Sequence, residues 1–207
     1  DHSSSARPLV VHDTPAHLAK PGRAMEEGGG HALAQEIRPV AEAILKFAEY
    51  LSLPSELPEH IVHGDPKIFN LLFWPDGQAH CWVDLDTLAP MPLAVELGDA
   101  LRSWCSPAGE EAESSFDLSF ARAGLQGWSE GVDGRPSPEE TRAIAPWCAG
   151  IALELAARFC ADSYLESYFG WNAKRFASAA EHNLCRARSQ LSLARSIRGQ
   201  QAQLDEI

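Results

Sequence analysis

Apolar residues recur at helical spacing in three long stretches and at strand spacing in one short region. Ile37, Val40, Ala41, Ile44, Phe47, Ala48 and Leu51 repeat every three or four positions, which predicts an amphipathic helix over residues 31–51. Pro39 fits that helix only near its first turn, because proline brings no N–H to an internal hydrogen bond; Pro54 and Pro58 mark its end. Residues 71–74 and 79–83, joined by Pro75-Asp76-Gly77, read as a β-hairpin. Residues 96–104 and 115–128 read as helices, residues 131–138 as a turn-rich linker. Ser137-Pro138-Glu139-Glu140 is a helix start, leading into a buried stripe of Ile144, Trp147, Cys148, Ile151, Leu155 and Phe159. Tyr164, Tyr168, Phe169 and Trp171 flank Gly170 as a helix end packed on the core, with a sugar-stacking platform as the alternative. The last helix starts near Lys174 or Phe176 and reaches Arg198, with Leu184, Ala187, Leu191 and Ala194 inward and His182 satisfied within it. Residues 1–30 carry Ser3-Ser4-Ser5, several prolines and Gly28-Gly29-Gly30 and predict an extended lead-in; residues 201–207 predict a frayed tail. The class is mainly α with a small β-hairpin (α+β).

One polar stretch interrupts this pattern. His63-Gly64-Asp65-Pro66-Lys67-Ile68-Phe69-Asn70 lies between two apolar runs, and Asp84 ends the second strand of the hairpin. Singly, Asp, Lys and Asn beside a turn are ordinary loop residues. The ordered set at this spacing matches the needs of phosphoryl transfer from a metal nucleotide, where catalysis is mostly positioning and charge neutralisation. Asp65 suits the group that orients the attacking hydroxyl and takes its proton. Lys67 suits the moving phosphoryl group, and Asn70 with Asp84 suits magnesium, which prefers hard oxygen ligands. A hairpin explains the separation of the last two, since it folds their strand ends back together. Asp86, two positions beyond Asp84, points to the same face if the strand continues, either toward a metal water or substrate hydroxyl or as a turn cap for Thr87.

These residues resemble the aminoglycoside phosphotransferase and choline kinase group, of protein-kinase-like fold. His63-Gly64-Asp65 is similar to its catalytic-loop signature. Val83-Asp84-Leu85-Asp86-Thr87 and Glu96-Leu97-Gly98-Asp99-Ala100-Leu101-Arg102 resemble the branch holding the N-acetylhexosamine kinases, as does His12-Asp13-Thr14-Pro15 ahead of the helical lobe; the alternative for that last segment is a turn cap before Pro15. Pro66 stands where that branch has Thr. The resemblance implies an ATP-dependent, magnesium-dependent kinase acting on a hydroxyl of a small molecule such as an amino sugar or aminoglycoside. It implies catalytic Asp65 and Lys67, nucleotide and metal contacts from Lys67, Asn70 and Asp84, and supporting roles for His63, Asp86, Asp99 and Arg102, with Asp99 bracing the catalytic-loop backbone. The glycine-rich loop and strand lysine of a nucleotide-gripping lobe find no counterpart before His63. The expectation is therefore the C-terminal helical lobe of a longer kinase: residues 1–30 lead in, 31–200 form the lobe with catalytic loop 63–70 and metal segment 84–87, and 201–207 trail. A chain without the nucleotide lobe could instead be a non-catalytic module that binds a small molecule or a partner.

Composition narrows the alternatives. A chain of 207 residues, 45% hydrophobic, can bury one sizeable core. Its net charge of −12 and pI near 5.0 argue against a nucleic-acid surface and weakly favour cationic small molecules through steering. Glu154, Arg158 and Asp162 share a helix face as an ion ladder or as the acidic wall of a cleft, and residues 109–113 read as a solvated acidic stretch. Cys81, Cys105, Cys148, Cys160 and Cys185 lie scattered in apolar runs without metal-ligand spacing, as buried reduced thiols of a cytoplasmic protein would. No apolar run of membrane length and no signal peptide stands out. Oligomeric state leaves no mark in the sequence.

Overall fold

A computed structural model describes residues 12–132 and 136–207. Asp13 opens the first helix, α1 (Thr14–Leu18), by accepting the Ala16 N–H at 3.2 Å, and Pro15 sits in its first turn. Helix α2 (Lys20–Glu27) follows at once, again with a proline in its first turn, and buries Pro21 and Ala24. Of the expected extended lead-in, residues 1–11 lie outside the described residues, and Thr14–Leu18 and Lys20–Glu27 are helical rather than extended. Proline at these positions forfeits only an N–H that no helix could use, so two short helices form where breakers suggested a loop. Helix α3 (Ala34–Ala48) buries Ile37, Val40, Ala41 and Ile44 as the spacing predicts. It is shorter than residues 31–51, and Pro39 lies inside it, beyond the first turn.

Four short strands surround the polar loop. Strand β1 (Glu59–Val62) runs into it and a 3-10 turn (Ile68–Asn70) ends it. Strands β2 (Leu71–Phe73) and β3 (Ala79–Trp82) form the expected hairpin, with Leu71 opposite Trp82 and a register shift between Leu72 and Phe73. A second 3-10 turn (Leu85–Thr87) leads to β4 (Ala89–Pro92), which pairs antiparallel with β1, Val62 opposite Ala89. This second pairing returns the segment after Asp84 to the side of the loop.

The remaining helices are α4 (Leu93–Trp104), α5 (Leu118–Gly131), α6 (Pro138–Leu165), α7 (Ala179–Gly199) and α8 (Gln201–Asp205). Ser137 and Glu140 form a reciprocal capping box at the start of α6, with Ser137 Oγ accepting from Glu140 N at 3.2 Å and Glu140 Oε2 from Ser137 N at 2.8 Å. Helix α6 packs against α1, α2, α3, α4, α7 and α8. A helix wrapped this way is apolar all round; α6 has the length and composition to cross a membrane, yet 78% of its most apolar window is buried inside the fold. Helix α4 crosses α6 at Gly98, where a β-carbon would stand 2.9 Å from the backbone at Trp147 and Cys148. The tail does not fray: Leu204 is buried in the core and Gln200 Nε2 donates to the Phe116 carbonyl at 3.0 Å. Of the five free cysteines, Cys105, Cys148 and Cys160 are buried, Cys185 is half-buried and Cys81 is exposed on the hairpin. A two-stranded ribbon has one face with nothing to cover it, which a run of apolar residues cannot reveal.

Candidate active site

The loop after β1 is held from three sides. Gly64 has φ +83°, and a β-carbon there would lie 2.4 Å from the Thr87 carbonyl oxygen, so the position demands glycine twice over. Glu96, at the start of α4, accepts the His63 N–H at 3.1 Å on one oxygen and the Gly64 N–H at 3.0 Å on the other. Burial pushes the Glu96 carboxyl above its ordinary range, and those two N–H groups pull the other way. Further along α4, Ser103 Oγ accepts the Ile68 N–H at 3.0 Å and Trp104 Nε1 donates to the Pro66 carbonyl at 2.9 Å. His63 accepts from Asp65 N at 3.3 Å and faces the Val83 carbonyl across 2.9 Å through Nε2, which assigns a neutral imidazole with its proton on Nε2. Thr87 Oγ1 closes the frame by donating to the His63 carbonyl at 2.8 Å.

Within this frame, Asp65, Lys67 and Asn70 meet. Lys67 Nζ ion-pairs with Asp65 Oδ2, and Asn70 Nδ2 donates to the Asp65 carbonyl at 2.9 Å and to Oδ2 at 3.2 Å. Asp65 Oδ1 and Asn70 Oδ1 have no partner among the described residues. Val83 N–H donates to the Asn70 carbonyl at 2.9 Å, so Asp84 follows directly on a residue bonded to Asn70. Asp84 is exposed and adopts a left-handed backbone, φ 65° and ψ 55°, a region that Asp enters more readily than most non-glycine residues. The Asn70 amide oxygen and the Asp84 carboxylate, neither with a hydrogen-bond donor among the described residues, are oxygens of the kind a hard divalent cation takes alongside phosphate and water. Among the described residues no three His, Cys, Asp or Glu side chains gather into a metal site of their own. Asp86 is exposed in the 3-10 turn after β3, so the strand does not continue and the shared face expected for Asp84 and Asp86 does not form.

A profile of the phosphotransferase enzyme family matches residues 2–140. The chain belongs to that family. It is also 30% identical over 183 residues to the homoserine kinase of Caulobacter sp. (strain K31), an alignment covering 77% of this chain and 55% of that protein. The chain thus spans about half the length of that relative.

The loop of residues 63–70 opens onto a cleft of about 490 Å³ whose walls carry Asp65, Lys67, Arg102, Glu154, Arg158 and Arg186. Arg102 is buried and reaches Asp99 Oδ1 through Nε and Nη2, both at 2.9 Å, with Glu110 3.8 Å away. Asp99 is therefore committed to Arg102, and Glu96 is the carboxylate that braces the loop backbone. The resemblance points to Asp99 for that brace; Glu96, one turn earlier on α4 and nearer the loop, holds it instead. Glu154 is buried at the cleft floor, accepting from Thr14 Oγ1 at 2.5 Å and facing His12 Nδ1 at 3.3 Å. Burial opposes protonation of His12, but the Glu154 hydrogen bond and the nearby Asp99 and Glu154 charges outweigh it and raise its pKa. His17 stands 3.8 Å from Glu154, too far to bond, and burial lowers its pKa. The expected ladder of Glu154, Arg158 and Asp162 forms only in its first half: Arg158 Nη1 lies 4.0 Å from Glu154 Oε1, whereas Asp162 accepts the N–H groups of Ser167, Tyr168 and Phe169, each at 2.9 Å, as the cap of the turn after α6. The acidic stretch at 109–113 is not simply solvated either, since Glu111 ion-pairs with Arg175 and meets His182 at 2.8 Å.

Proposed function

We propose that this chain carries the catalytic residues of a kinase that moves the terminal phosphoryl group of ATP to a hydroxyl of a small molecule. The acceptor oxygen attacks the γ-phosphorus, the bond from that phosphorus to its bridging oxygen breaks, ADP leaves, and the hydroxyl proton passes to Asp65. Lys67 turns from Asp65 to the transferring oxygens and offsets their charge. Asn70 and Asp84 would hold magnesium, which screens the phosphates when bound. His63, Glu96, Ser103 and Trp104 keep the loop fixed, since misplacement of about 1 Å costs orders of magnitude in rate. Candidate acceptors are an amino sugar, an aminoglycoside or, from the name of the Caulobacter relative, homoserine. Five free thiols suit the reducing cytoplasm.

The observation that carries this reading is Asp65, fixed at both its carbonyl and one carboxylate oxygen by Asn70 and Lys67 while it faces a cleft. In the full-length protein, Asp65→Asn should lower kcat by about 10²–10⁴ while substrate affinity and thermal melting stay near wild type. Turnover within a few-fold of wild type in a folded Asp65→Asn protein refutes the assignment.

A further inference from the structure

Buried polar atoms with no hydrogen-bond partner are uncommon, and each needs an explanation. Among the described residues they are His17 Nδ1, Ser106 Oγ, Asn183 Oδ1, Arg186 Nε and Gln190 Oε1. Ser106, Arg186 and Gln190 line a single cavity of about 670 Å³, between the C-terminal end of α4, the segment after it, and α7. That cavity adjoins the catalytic cleft and shares Lys67, Arg102, Glu110 and Arg186 with it. Arg186 and Gln190 are one turn apart on α7 and so face the same side.

Arg186 is held in place without a direct ion pair among the described residues, although the Glu111 carboxylate of the same cavity lies within reach of its charge. Its Nη1 donates to the Gly170 carbonyl at 2.9 Å, and its Cζ lies 5.3 Å from the centre of the Phe159 ring. The Nε–Nη2 edge is left with no acceptor among the described residues. That edge offers two parallel N–H groups, the arrangement a carboxylate takes up in a bidentate pair. Lys67 and Arg102 differ, because each already has a carboxylate, Asp65 and Asp99.

We propose that this cavity receives the head group of the phosphoryl acceptor, and that the acceptor is a hydroxy amino acid. Its carboxylate takes the Nε–Nη2 edge of Arg186 and the Ser106 hydroxyl, its ammonium donates to the Gln190 amide oxygen, and its hydroxyl reaches Asp65 past Lys67. The head group thereby satisfies all three orphaned atoms at once. A polycationic sugar would leave Arg186 unmet and place its own charge beside it. The inference rests on the phosphotransferase reading and deepens it.

The test uses the full-length protein with three probes: L-homoserine, its carboxamide, which keeps the ammonium and lacks the carboxylate, and glucosamine. L-Homoserine should be phosphorylated with a kcat/KM about a hundredfold or more above the carboxamide, since a site built for a polar group rejects an analogue lacking it. Arg186→Met should close that gap by slowing L-homoserine alone, and Arg186→Lys should restore part of it. Calorimetry on the Asp65→Asn protein should show L-homoserine binding that Arg186→Met removes. Glucosamine turned over as well as L-homoserine, or undiminished discrimination in Arg186→Met, overturns the proposal and leaves the phosphotransferase reading standing. Binding that depends on Arg186 with no transfer to any acceptor keeps the subsite and removes that reading. If Arg186→Met does not fold, Ser106→Ala and Gln190→Leu probe the same cavity, and an unchanged KM for L-homoserine in both overturns it.

Discussion

Under the proposed function Asp65 must take a proton, and a carboxylate with that task cannot stay fully committed to a lysine. The Asp65–Lys67 pair has side-chain exposures of 25% and 38%, so water screens it and the pair holds weakly. Lys67 is therefore free to turn to a phosphoryl group without disturbing the fold. His12 is the opposite kind of residue, almost buried and tied to Glu154. Its folded pKa is raised above the unfolded value of about 6.5, so the folded state holds the proton more tightly. The stability this contributes is complete below that unfolded value and is lost as pH rises through the folded one. His12→Ala should thus destabilise by about 1.5–3 kcal/mol at pH 6, the range for a hydrogen bond to a charged group, and by less at pH 9. Chemical denaturation at the two pH values checks this; an equal loss at both would mean that packing, not charge, ties His12 down. Asp65, Lys67 and Asn70 were legible because one loop of eight residues carries them in order. Arg186 and Gln190 were not, because on α7 they sit among other polar residues and nothing in that helix says which ones face inward.

At the scale of elements, α4 couples the core to the proposed catalytic loop. Its first turn supplies Glu96 and its last supplies Ser103 and Trp104, all bonded to the catalytic loop, while its middle lies against α6 at Gly98. Gly98→Ala forces a methyl to within 2.9 Å of the α6 backbone, which no rotamer change can relieve. The two helices must separate, at about 1–3 kcal/mol. The shift should carry the loop with it, so turnover should fall more than substrate affinity. Thermal melting and steady-state kinetics on the same protein test this coupling, and a lower melting temperature with unchanged kcat would show that the loop rides independently of the crossing. The hairpin and the core of α3 were readable because alternation and helical spacing each specify a face. Strand β4, with sequence Ala-Pro-Met-Pro, has two prolines and no alternation, and only its pairing with β1 makes it a strand. The resemblance pointed to the Gly98-Asp99 neighbourhood but could not say that Glu96 faces the loop and Asp99 faces Arg102, since three positions apart on a helix differ in what they reach.

Across the whole molecule, the cysteines report where the fold is closed. The thiolate is the reacting form, so a thiol both buried and shifted upward is doubly protected. Burial pushes Cys105 and Cys160 up to about 12 and Cys148 well above its ordinary value. Each packs in the core around α6 or against it, on α6 itself or just after α4. Cys81 is exposed on β3, and Cys185 is half-buried with its thiol donating to the Glu111 carbonyl at 3.5 Å. A disulfide reagent at pH 8 should therefore modify Cys81 quickly, Cys185 more slowly, and the other three only when the core opens. Because α6 touches most of the other helices, the three buried thiols should appear together, at a rate that tracks global unfolding in denaturant. Staggered release of Cys105 ahead of Cys148 and Cys160 would place α4 and the catalytic loop in a unit that opens separately from the core. That result would make the loop's rigidity a local property, and the link from α6 through Gly98 and Glu96 to Asp65 would no longer hold.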